Sequence, residues 1–198
     1  MTPILGWIIF AVWLYILWVT RRSELPAWHF IWGSCGLFVL MMIFLRPYCT
    51  QPLAQVVAAL AGGFGKLTGM FQSYFKYGVI FVNTRAGAIS LLIDFECSGI
   101  LEIMAFVALL AFYDVYTVYE RIVVGILGTF YIILANALRI IAICAIIYVF
   151  GMPSYYVAHT FVGRILFYGL SVLLYFFVFT KTQIIRQKVG GFTYGTDK

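Results

Sequence analysis

Three residues of this 198-residue chain have the chemistry to carry an acyl group together. Cys97 stands in Glu96-Cys97-Ser98-Gly99, where an apolar run begins. A thiol at a helix N-terminus meets partial positive charge and free backbone N–H groups, which favour the thiolate, and a nearby Arg or His favours it further. Gly99 would let another segment approach closely. Arg139 lies inside the apolar run from Ile122 to Phe150. Such an arginine costs about 2.5–3.5 kcal/mol to insert, so it should face the protein interior and a partner. Asn136, three residues earlier, shares its helix face. His159 is one of two histidines. A thiolate nucleophile needs a proton carrier near neutral pH, and a tetrahedral intermediate needs a fixed donor for its oxyanion; imidazole and guanidinium supply these. Each residue also has a plainer reading. Cys97 could be a packed membrane cysteine with Ser98 as a helix cap, Arg139 a structural cation paired with Glu102 or Glu96, and His159 an interfacial residue like His29.

Composition decides the setting. Hydrophobic residues make up 64% of the chain and charged residues only 10%, against about 25% charged in soluble domains. A water-soluble fold of this size could not hide so much apolar surface, so the expected solvent is the bilayer. The net charge of +6 is spread in short clusters beside apolar runs, without interleaved aromatics. It reads as membrane topology and not as nucleic-acid binding. The basic pair Arg21-Arg22 follows the first apolar run instead of preceding it, so the N-terminus reads as a retained helix and not a cleaved leader. Cys35, Cys49, Cys97 and Cys144 form no CxxC pair, which argues against a thioredoxin-like or quinone-linked redox protein and a structural zinc site. Cys35 and Cys144 sit in apolar runs as small hydrophobes.

The elements that must position these groups follow from the runs. A span needs about 20 apolar residues. Five candidates result: Ile4 to Thr20, Trp28 to Leu45, Cys97 to Tyr113, Ile122 to Phe150 and His159 to Thr180. The expected fold is a single all-α polytopic domain over residues 1–198. Residues 47–96 form an extracytoplasmic or interfacial insertion, and residues 181–198 a cytoplasmic tail. Within the insertion, Leu53 to Met70 reads as an interfacial helix. Val79 to Val82 and Ile89 to Ile93, around Asn83-Thr84-Arg85-Ala86-Gly87, read as a β-hairpin before Cys97. A sheet edge cannot face lipid, so the hairpin belongs at the membrane surface or against the helices.

Orientation follows from the cations. Arg21, Arg22, Arg121, Lys181, Arg186 and Lys188 are assigned to the cytoplasm and the N-terminus to the outside. Cys97 and His159 then begin their spans at the outer face. Arg139 lies 18 residues beyond Arg121, about 27 Å at 1.5 Å per residue, which nearly crosses a hydrocarbon core of about 30 Å. Three separate segments thus deliver Cys, Arg and His to one depth. Arg164, five residues after His159, could support a substrate or a carboxylate. Glu102 most simply pairs with Arg139; as a proton-relay carboxylate it would suggest a small transporter or membrane scaffold. A serine protease using Ser98 and His159 is a third reading.

The strings Phe95-Glu96-Cys97-Ser98-Gly99-Ile100 and Asn136-Ala137-Leu138-Arg139-Ile140, with His159 five residues before Arg164, resemble the three motifs of exosortases and archaeosortases. The resemblance covers Val79 to Thr180, and the chain looks most like the compact G-type exosortases of Gram-positive bacteria. Archaeosortases carry arginine where this chain has His159. The resemblance implies a membrane-embedded cysteine protease or transpeptidase, with Cys97, Arg139 and His159 catalytic and Asn136, Arg164, Glu102 and Ser98 in support. The implied partners are secreted proteins bearing a C-terminal transmembrane sorting signal, a lipid or glycan acceptor, and membrane lipids; no nucleic acid, metal or cofactor is expected. The implied location is the cell membrane, multi-pass, with the site on the extracytoplasmic side. Because the expected hairpin leads straight to Cys97, its edge could pair with an extended cleavage motif.

Overall fold

The structure is a computed structural model, and it describes residues 3–84 and 87–185. Arg85 and Ala86 of the expected turn, and the tail with Arg186 and Lys188, lie outside the described residues.

Among the described residues, three helices are long and apolar enough to cross a membrane: α2 (Pro26–Phe44), α5 (Val118–Phe150) and the last helix, Met152–Ile185. Helix α1 (Pro3–Arg22) packs along α2, and the Trp13 indole N–H donates to the Trp32 carbonyl at 3.0 Å. The third expected span is helical only over α4 (Ile100–Ala111), about 18 Å by helix rise. It is shorter than the apolar run because residues 95–99 are spent on turns that carry Cys97.

Basic residues of α1 and α5, Arg21 and Arg121, come together at one end of the bundle. Thr117 and Glu120 form a capping box that starts α5, satisfying N–H groups that the helix itself cannot. Arg121, one residue on, donates to the carbonyls of Ala111 (2.8 Å) and Tyr113 (2.9 Å), closing the C-terminus of α4. A cation there also meets the negative end of the helix dipole. The Tyr113 hydroxyl donates to the Phe179 carbonyl of the last helix at 2.8 Å. Thr20 and His29 Nδ1, 3.2 Å apart, tie α1 to α2, and a cavity lined by Arg21, Glu24, His29, Asp114 and Arg121 joins that turn to the base of α5.

The opposite end carries α3 (Arg46–Thr68) and a three-stranded antiparallel sheet, β1 (Phe71–Tyr74), β2 (Val79–Thr84) and β3 (Gly87–Leu92), in the order β1-β2-β3. The sequence reading placed two strands here, and β1 is an addition to it. Helix α3 begins seven residues before the expected interfacial helix, directly after α2. It buries Ala54, Val57, Ala58, Ala61, Gly62 and Gly65 on one face, a spacing of three and four. These small residues let β1 lie close: a Cβ on Gly65 would fall 2.5 Å from the Phe71 carbonyl oxygen.

Phe71, Ile80, Val82 and Ile93 from the sheet side complete a core with that face and with Ala137, Ile140, Ile143, Cys144 and Ile147 of α5. Each large aliphatic or aromatic side chain so buried contributes about 1.5–3 kcal/mol. At 33 residues, α5 is about 50 Å long. It therefore serves both the bundle, through Ile132 and Ala135 beside Phe106 and Phe167, and this outer core. Arg139 falls where the two cores meet.

Candidate active site

The turn between β3 and α4 shapes the thiol. Gly99 is the N-cap of α4 and takes φ +78, a left-handed conformation that glycine adopts without strain. Cys97 therefore lies two residues ahead of the N-cap, outside the helix. Its N–H donates to Asp94 Oδ1 at 3.1 Å. Its carbonyl accepts from Asn136 Nδ2 at 2.7 Å. Asn136 is fully buried and packs against Gly99, where an added Cβ would lie 3.3 Å from Nδ2.

His159 arrives from the last helix. Residues Ala158–Val162 form a π-turn, with the Gly163 N–H bonded to the Ala158 carbonyl. Such single wide turns re-aim side chains and recur at functional sites. His159 Nε2 lies 3.1 Å from Cys97 Sγ, and the Tyr155 ring stacks on the imidazole at 5.6 Å between centroids. Arg139 Nη2 donates to the same sulfur at 3.8 Å, a long contact. The guanidinium lies 5.6 Å from the Phe167 ring centroid. Its Nε is buried without a hydrogen-bond partner. Three segments thus converge on one sulfur atom, and neither imidazole nor guanidinium is committed to a carboxylate there. Among the described residues, Arg139 makes no ion pair within 4.0 Å.

Residues 2–177 match the family described as transmembrane exosortase. The chain belongs to that family. No curated protein and no solved structure matches it.

The remaining predicted residues of this exosortase divide by what they touch. Ser98 is buried, and its hydroxyl donates to the Phe95 carbonyl at 2.9 Å and accepts from the Ile100 N–H at 3.4 Å. It serves its own turn, and it is Cys97 that faces His159. Glu102 is half-buried and stands in the field of Arg139 without pairing with it. Arg164 is exposed, five residues from His159; i→i+5 bonding at the π-turn brings residues so spaced toward one face. Asp94, Tyr155 and Phe167 were not singled out from the sequence. Asp94 had a weak signal, a carboxylate three residues before Cys97 and at a strand end. The other two are aromatics in an aromatic-rich chain and carried none.

The electrostatics of the thiol correct the sequence expectation. Off the helix end, the sulfur does not collect α4's free amides. Burial, at 7% exposure, pushes the thiol from its ordinary 9.0 up to about 11, Arg139 opposing this and Asp94 and Glu96 adding to it. Burial disfavours the charged form, and here it outweighs one cation at 3.8 Å. Burial thus favours the thiol over the thiolate at Cys97.

Proposed function

We propose that this exosortase is a cysteine transpeptidase of the G-type branch that cleaves the C-terminal sorting signal of secreted proteins. The observation that carries the reading is the convergence of His159 Nε2 at 3.1 Å and Arg139 Nη2 at 3.8 Å on Cys97 Sγ. With substrate bound, the Cys97 thiol gives its proton to His159 Nε2 as Sγ attacks the scissile carbonyl. The oxyanion accepts from Arg139, whose Nε–H has no partner at rest, in a site shielded from water. His159 returns the proton to the leaving amine, and the acyl group stays on sulfur as a thioester. An amine or hydroxyl of a lipid or glycan, or water, then attacks the thioester carbonyl and gives its proton to His159, and the departing Cys97 sulfur takes that proton back, restoring the thiol. Asn136 and Asp94 fix the backbone on either side of Cys97 through its C=O and N–H, so they position the nucleophile without touching substrate.

We further assign five spans, built on α1, α2, α4, α5 and the last helix, to the cell membrane. In this assignment the basic ends of the helices are cytoplasmic, and the sheet and Cys97 extracytoplasmic. The long α5 supports it, since about 27 Å of helix separates Arg121 from Arg139.

The test is processing of a secreted reporter carrying a C-terminal cleavage motif, apolar helix and basic tail, coexpressed with the wild-type chain or with Cys97→Ala, Arg139→Ala or His159→Ala. All three substitutions should stop processing. Normal processing with Cys97→Ala would end the transpeptidase reading. Loss with Glu102→Ala but not with Cys97→Ala would favour a transporter or scaffold.

A further inference from the structure

Strand β3 has one free edge. In the order β1-β2-β3, β2 is paired on both sides and β3 on one only. Among the described residues, β3 packs along β2 and no helix lies along its other side. The direction of its backbone groups can be read from the ladder. The Ile93 N–H donates to the Gly78 carbonyl at 2.9 Å, one step beyond the pair Val79↔Leu92. Antiparallel bonding alternates along the strand. Gly87, Ile89 and Leu91 therefore bond to β2, while the N–H and C=O groups of Ala88, Ser90 and Leu92 point outward. The side chains alternate in step: Ile89 and Leu91 pack on the outer core, and Ala88, Ser90 and Leu92 are exposed.

This edge carries none of the usual guards. Residues 87–92, Gly-Ala-Ile-Ser-Leu-Leu, include no charge and no proline, and Leu92 is 66% exposed. Soluble proteins blunt such edges with Lys, Pro or a bulge, because an open apolar edge pairs with any extended chain. The strand also runs through Ile93 into the turn that presents Cys97. A peptide lying along Ala88–Leu92 would be led to the sulfur within a few residues at about 3.3 Å each.

We propose that the open edge of β3 is the docking strand for the substrate. The segment preceding the scissile bond would add as a fourth strand, held by the outward backbone groups of Ala88, Ser90 and Leu92, and deliver its carbonyl to Cys97. Main-chain pairing supplies affinity in this mode, and alternate side chains supply selectivity. The occupant is an extended peptide followed by an apolar helix, since the path runs from an exposed sheet edge to the helices. The proposal rests on the transpeptidase reading. Of the two strands of the expected hairpin, it assigns recognition to β3, because β2 is paired on both sides.

The test is a proline placed at an outward position. Ser90→Pro removes one outward donor and no ladder bond. One net hydrogen bond is worth about two- to tenfold in an equilibrium, so processing of the signal-bearing reporter should fall by about that factor. Ser90→Ala should process normally, because its side chain is not used. Thermal stability and Cys97 alkylation should be unchanged in both. Proline scanning of the reporter residues before the cut gives a readout independent of the enzyme's folding, and it should show a period of two. Ser90→Pro processing at the wild-type rate, or a reporter scan without alternation, would overturn the docking strand while Cys97→Ala still kills activity. Processing that survives Cys97→Ala would overturn the transpeptidase reading itself. A disulfide between two copies carrying Ser90→Cys, with the reporter failing to compete, would show that the edge pairs with a second chain and overturn the proposal.

Discussion

The raised pKa of Cys97 yields a prediction that needs no substrate. At a pKa of about 11, the thiolate fraction at pH 7 is about 10⁻⁴, against about 10⁻² for an ordinary thiol at 9.0. Alkylation proceeds through the thiolate. Iodoacetamide should therefore label Cys97 roughly a hundredfold more slowly at pH 7 than an ordinary thiol of equal access. The rate should rise about tenfold per pH unit and level off only near pH 11. The signs of the neighbours are fixed. Arg139 lowers this pKa, so Arg139→Gln should raise it and slow labelling at any pH below the plateau. Asp94 raises it through charge and hydrogen bonding, so Asp94→Asn should lower it and speed labelling at pH 7. Cys35 and Cys49 are exposed, so labelling must be read at the Cys97 peptide by mass spectrometry. A plateau near pH 9 or below, or faster labelling in Arg139→Gln, would refute the reasoning and would mean a preformed thiolate–imidazolium pair.

Other outcomes follow from packing. Asn136→Ala leaves the Cys97 carbonyl without its donor in a buried site, at a cost of about 1–3 kcal/mol; a lower Tm and reduced reporter processing should appear together. Gly99→Ala forces a left-handed alanine, costing about 1–2 kcal/mol, and crowds the Asn136 amide, so it should impair processing more than it lowers Tm. Gly65→Ala drives a methyl into the Phe71 carbonyl and should destabilise the outer core by about 1–3 kcal/mol, measured by thermal unfolding in detergent.

Much of the site could be read from the sequence because it rests on coarse quantities. Charge clusters fix which helix ends lie together, and helix rise then puts Arg139 level with Cys97 and His159. Both need only a count of residues. What escaped depends on local backbone detail. The strand β1, Phe-Gln-Ser-Tyr, is four residues long and has no period to detect; it exists because α3 offers Gly62 and Gly65 for close approach. The π-turn at His159 is one extra residue in a helix and leaves no mark on an apolar pattern. The shift in the Cys97 pKa went the wrong way for one reason. The apolar run suggested a helix starting at Cys97, whereas Gly99 starts it two residues later and leaves the thiol buried without the helix's free N–H groups. Spacing alone puts Asn136 on Arg139's helix face, but its hydrogen bond to the Cys97 carbonyl is visible only in the fold.

The most direct measurement of the central claim is the mass of Cys97 during turnover. Membranes carrying the wild-type chain and the signal-bearing reporter should be quenched in acid, digested and analysed for the peptide containing Cys97. The account predicts an acyl adduct on Cys97 whose mass matches the reporter residues before the cut. Neutral hydroxylamine should remove it, and it should be absent when His159 is replaced by Ala. Reporter cleavage at full rate with no such adduct, or an adduct on Ser98 instead, would contradict it.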